Sequence, residues 1–110
     1  MEIEYKKDEK AVIMMVNGRM DAITTTEFDK KIDEILQQEE NTIIVDFSGL
    51  DYISSAGLRS ILSASKRLKG KGGSIILAAL KDVVRDVFEI SGFSSILPIH
   101  ESVEKALSGI

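Results

Sequence analysis

Apolar residues change their spacing along this chain, and each change marks an element. Ile3 and Tyr5 alternate with Glu2, Glu4 and Lys6, the period of a half-buried edge strand. Asp8-Glu9-Lys10 reads as a polar turn. Ala11–Val16 then forms a second strand, antiparallel to the first if the turn is short. Asn17-Gly18, both tolerant of positive φ, is expected to end it. Thr42–Phe47 differs: it shows no alternation and is rich in β-branched residues, the mark of a strand buried on both faces. Ser74–Ala79, entered through Gly72-Gly73, is of the same kind.

Between the strands the period becomes helical. Thr24 followed by Glu27 spells a capping box, which predicts a helix with Phe28, Ile32, Ile35 and Leu36 on its buried stripe. Ser54-Ser55-Ala56-Gly57 opens a second helix, with Leu58, Ile61, Leu62 and Leu68 inward and Ala64 and Ser65 as small contacts. Lys66, Arg67 and Lys69 complement its dipole, and Gly70 is the expected stop. Asp82–Ile90, with Val83, Val84, Val87 and Phe88, is a third helix ended by Ser91-Gly92. Ser95–Ile99 reads as a short extended piece that Pro98 confines to an edge or strand end. Val103, Ala106 and Leu107 mark a last short helix. The order β-β-α-β-α-β-α-β-α implies an α/β fold: one domain over residues 1–110, with a mainly parallel mixed sheet, an N-terminal antiparallel hairpin and about four helices.

Composition narrows the function. The net charge of −4 gives no electrostatic footprint for nucleic acid, and the absence of cysteine removes disulfides and thiol chemistry. No apolar run approaches a membrane span and the N-terminus lacks a signal-peptide core, so a cytoplasmic location is expected. Catalysis lacks essential groups. His100 is the single histidine and lies far along the chain from the serine pair, and there is no Gly-x-Ser-x-Gly elbow. Lys69-Gly70-Lys71-Gly72-Gly73-Ser74 fails the P-loop pattern and precedes a strand, and Ser63-Ala64-Ser65-Lys66 has no companion motif. Asp21, Asp46 and Asp51 would make a metal or phosphoryl site only if clustered. No enzyme activity, cofactor or metal is expected. Ser54 and Ser55 stand where a helix begins at the carboxyl end of a central strand. One of them should cap the helix; the other is open to modification, and a phosphate there would lie beside backbone N–H groups.

Asp51-Tyr52-Ile53-Ser54-Ser55-Ala56-Gly57-Leu58 resembles the signature of anti-sigma factor antagonists, small single-domain members of the STAS family. The usual form there is an aromatic and an apolar residue, then Asp-Ser-Ser/Thr-Gly-Leu-Gly. Gly18-Arg19-Met20-Asp21 is similar to the family's Gly-Glu-Leu-Asp segment, and Ile90-Ser91-Gly92-Phe93 to its later Ser-Gly-Leu turn. The resemblance spans essentially the whole chain. It implies a STAS domain that binds an anti-sigma factor serine kinase, releases the sigma factor, and lets go when phosphorylated. A PP2C-type phosphatase would reset it. By position the phosphorylated residue is Ser55, with Ser54 as runner-up.

The resemblance implies that Asp21 serves partner binding; Thr24, Ser54, Gly57, Leu58 and Arg59 are expected to join it, in a protein expected to be monomeric when free. Three positions depart from the pattern. Ser54 replaces Asp, Ala56 replaces the second Ser/Thr, and Arg59 replaces glycine, adding a cation that would meet a partner or the phosphate. The alternative is a STAS scaffold or sensor domain that binds a nucleotide or other small ligand without a kinase switch.

Overall fold

A computed structural model describes all residues, 1–110. β1 (Glu2–Lys7) and β2 (Val12–Met20) form the antiparallel hairpin. Then follow α1 (Thr25–Gln37), β3 (Thr42–Ile53), α2 (Ser55–Lys69), β4 (Ser74–Ala78), α3 (Asp82–Ile90), a 3-10 turn (Phe93–Ser95), β5 (Ile99–His100) and α4 (Val103–Ser108). The sheet order is β1-β2-β3-β4-β5, and every pairing after the hairpin is parallel. The expected element order and sheet type are those observed.

Most of each predicted stripe covers the sheet, though Leu62 of α2 is only half-buried and lies outside the core clusters. Phe28, Ile32 and Ile35 of α1, Leu58, Ile61, Ala64 and Leu68 of α2, and Val84 and Phe88 of α3 are buried in one cluster. They meet Val12, Met14 and Val16 of β2, Ile43, Val45 and Phe47 of β3, and Ile75 and Leu77 of β4. The other face of the sheet offers Ile44, Ile76 and Ala78, against which Ala106 of α4 packs. Alternate residues of β3 therefore feed two cores, which is why its sequence shows no polar alternation.

Several local expectations give way. Asn17-Gly18 does not end β2, which runs on to Met20, and β3 continues past Phe47 to Ile53. The two strands stay paired because β3 takes up an extra residue twice: Met15 faces Asp46 but Asn17 faces Gly49, and Gly18 faces Leu50 but Arg19 faces Tyr52. Such bulges let a pair continue with added twist. Gly49 lies at the first, where an added Cβ would meet the Asn17 side chain, 1.7 Å from its Oδ1.

The capping box does not form. Thr24 is already in the helical region and caps nothing with its side chain. α2 does stop at Gly70, its C-cap, as expected, but Gly70 keeps helical angles and the left-handed turn falls to Gly72, with φ of 80°. The segment expected to be extended at Ser95–Ile99 instead leaves the 3-10 turn and becomes strand only at Ile99, where β5 begins. Val83 points outward, 66% exposed.

Phe47 is fully buried in the middle of the central strand. Phe47→Ala should lower the unfolding free energy by about 3–5 kcal/mol, the usual result of deleting a core aromatic ring. Urea denaturation would read this as a lower midpoint at similar slope; an unchanged midpoint would contradict the packing described.

Candidate functional site

The carboxyl ends of β2 and β3 deliver two chain segments to one place. Beyond β2, Asp21 organises the turn into α1. Its Oδ1 accepts from the N–H groups of Ile23 and Thr24, both at 3.0 Å, and from the Thr24 hydroxyl at 3.2 Å. The Asp21 N–H donates to Thr24 Oγ1 at 2.9 Å, and Arg19 O is a second acceptor within 2.9 Å of that hydroxyl. The aspartate performs the capping expected of Thr24, one turn earlier in the chain, because its carboxylate reaches two successive N–H groups. These bonds, led by that from the Thr24 N–H, hold the Asp21 carboxyl below its ordinary value, and the Arg19 charge adds to the effect.

Beyond β3, Ser54 adopts extended backbone and its Oγ accepts from the Gly57 N–H at 3.3 Å. Ser54 is therefore the N-cap of α2, and Ser55, its first helical residue, is exposed and takes no part in the cap. The two hydroxyls have separate positions, and only that of Ser54 caps the helix. The turn of Asp21 and the start of α2 are tied by the backbone: the Ser54 N–H donates to Met20 O at 2.9 Å.

Gly57 lies against that junction. A Cβ on it would come 2.7 Å from Ile53 Cγ1 and 3.1 Å from Met20 O. Gly57 and Leu58 are buried, so any part they take in partner binding is exerted from beneath the surface. Arg59 is exposed, and Asp21, Thr24 and Ser54 are half-buried around the same end of the sheet.

The surface holds more than the motif shows. Tyr52, 38% exposed, is covered by the Arg19 guanidinium at 4.2 Å from the ring centroid. The register of β2 on β3 sets these two residues opposite each other. Ile23, beside Asp21 in the turn, is 83% exposed. Lys81, preceding α3, pairs with Asp51 at 2.5 Å. The exposed aromatic residue is visible in the sequence, but its cation can be found only from the register. Of the carboxylates considered for a metal, Asp21 caps its turn, Asp51 pairs with Lys81, and Asp46 accepts from the Ser48 N–H at 2.9 Å. They do not converge, and no group of three or more potential ligands is placed to hold a metal ion.

Residues 2–106 match the model of the STAS domain. The chain belongs to the STAS domain family. BtrV of Bordetella bronchiseptica, provisionally named an anti-sigma factor antagonist, is 36% identical over 96% of this chain and 91% of its own. An anti-sigma-B factor antagonist of Listeria monocytogenes is 30% identical, covering 97% of this chain and 94% of its own. Among solved structures, a protein of Thermotoga maritima with a similar provisional name superposes with a TM-score of 0.92 at 25% identity, covering 98% of this chain and 93% of its own. No helix of this STAS domain is long and apolar enough to cross a membrane.

The junction and the turn can each be tested by substitution. Gly57→Ala should destabilise the domain by about 1–2 kcal/mol even though alanine favours helix, because the added methyl overpacks the Met20–Ile53 junction. A thermal midpoint at or above wild type would show that the junction yields. For Asp21, the depressed carboxyl contributes stability that is whole above its unfolded value near 3.8 and disappears as pH falls through its lower folded value. NMR titration should place its midpoint below 3.8, and Asp21→Ala should flatten the loss of stability in that acid range.

Proposed function

We propose that this chain is an anti-sigma factor antagonist, a binding protein and not an enzyme, switched by phosphorylation of Ser55. The observation that carries the reading is the division of labour at the start of α2, where Ser54 is used by the cap and Ser55 is exposed. Membership of the STAS family and the names of its relatives support the same reading.

In the unmodified state the end of the sheet meets a kinase-type anti-sigma factor and thereby frees the sigma factor. Ile23 and Tyr52 supply apolar contact, while Asp21, Thr24, Ser54 and Arg59 supply polar contact around Ser55. Gly57 and Leu58 hold the helix start at the required height. The kinase brings ATP. Ser55 Oγ attacks the γ-phosphorus and its proton passes to a base of the kinase. The new O–P bond replaces the bond to ADP, which leaves. The phosphate adds close to two negative charges. Backbone N–H groups at the start of α2 tolerate that charge within the domain, but a partner packed over Ser55 would bury it unpaired, which is costly. A PP2C-type phosphatase returns the hydroxyl by hydrolysis. The free protein is a cytoplasmic monomer in this reading.

The groove between α1 and α2, about 460 Å³ and lined by residues that include Thr25, Asp29, Arg59, Ser60, Ser63 and Arg67, favours a second reading. Its polar lining suits a small ligand, as in a sensor STAS domain that needs no kinase. Calorimetry of the unmodified protein with nucleotides separates the two readings, since heat of binding belongs to the second.

Incubation with the cognate anti-sigma kinase and ATP, followed by peptide mass spectrometry, should place the label on Ser55. Ser55→Asp should weaken binding at least tenfold, whereas Ser55→Ala should bind and resist switching. Label confined to Ser54, or wild-type affinity in Ser55→Asp, would count against this mechanism.

A further inference from the structure

Arg59 occupies a position where the family pattern has glycine, and its surroundings leave it uncommitted. It lies one helical turn after Ser55 on α2, and both residues are exposed. Residues four apart on a helix are neighbours, with Cβ atoms about 5–6 Å apart, and the order of anion first and cation second is the favourable one. The chain's side-chain ion pairs join Lys7 to Glu40, Lys31 to Glu34, Arg67 to Asp33, Lys81 to Asp51 and Lys105 to Glu101. Arg59 is in none of them. Arg67, two turns further along the same helix, shows the contrast: its guanidinium is held by Asp33 of α1 at 2.6 Å.

We infer that Arg59 is the built-in counter-ion of a phosphate on Ser55, a role that rests on the phosphorylation proposed above. Its planar guanidinium can donate two parallel N–H bonds to phosphate oxygens. The charged groups nearby make such a cation useful. Asp29 of α1 lines the same groove as Arg59. Asp21 follows Met20, whose carbonyl holds Ser54, and its partner in charge, Arg19, is occupied over Tyr52. A phosphate on Ser55 would have, one turn along its own helix, a cation that no ion pair already holds, Arg59. Modification then alters the partner-facing surface twice. It adds a dianion at Ser55, and it withdraws from the partner the guanidinium that was free before.

The kinase is not needed to test this. Phosphoserine can be installed at position 55 during translation, and its second ionisation followed by phosphorus-31 NMR at low salt in the full chain. The wild-type midpoint should lie below that of Arg59→Gln by about half a unit, because a bound cation favours the dianion. Arg59→Lys should recover some of the shift, since a point charge replaces the bidentate fork. In about 1 M salt the difference should collapse. Equal midpoints for wild type and Arg59→Gln at low salt would overturn the assignment, with amide spectra of the two proteins checking that the fold is shared. A kinase that fails to label Ser55 would overturn the proposed function instead, and the titration would still decide whether Arg59 pairs with a phosphate at that position.

Discussion

The contact on which the site depends is the one between the end of β2 and the first turn of α2. Ser54 donates its N–H to the Met20 carbonyl, and Gly57 presses its bare Cα side against the same residue and against Ile53. Met20 and Ile53 are themselves paired across the strands and buried. One junction thus fixes the exit of β2, the exit of β3 and the entry of α2. The turn of Asp21 and the serine pair inherit their relative position from it. Neither segment could shift without opening the core or leaving a backbone donor unpaired, and both are costly.

That junction also explains how far the sequence can be read. Periodicity locates the helices and the buried strands because burial acts on every residue of an element, and Phe28, Ile32 and Ile35 or Leu58, Ile61 and Leu68 repeat the same demand. The ends of β2 and β3 escape it for the opposite reason. Asn17-Gly18 has the local chemistry of a turn, yet a bulge opposite Gly49 lets the strand continue, and the energy that decides this comes from a neighbour over thirty positions away. The capping box fails through a nearer competitor. Asp21 reaches the N–H groups of Ile23 and Thr24 first, so the Thr24 hydroxyl is drawn back towards Asp21 and the carbonyl of Arg19.

The site itself is half legible. A pair of serines at a strand-to-helix passage announces both a cap and a spare hydroxyl, but not which is which. The backbone settles the capping role, since Ser54 is extended and Ser55 already helical. The Arg19–Tyr52 stack cannot be foreseen, because the spacing of the two residues in sequence carries no sign of their register.

Two of the three departures from the family pattern, Ser54 and Arg59, act in one electrical direction. α1, α3 and α4 each carry an acid in the first turn, Glu27, Asp82 and Glu104, whereas α2 carries none. Ser54 caps without charge where the pattern has an aspartate, Ala56 contributes no hydroxyl, and Arg59 adds a positive charge one turn in. The dipole at this helix start therefore lacks a fixed anion, although the chain as a whole has a net charge of −4. A charged cap would already stabilise the helix end and would repel a phosphate next to it. A neutral cap leaves that stabilisation unfilled, so under the proposed modification a phosphate on Ser55 would gain more from the helix start and from Arg59 here than in a chain with aspartate at the cap.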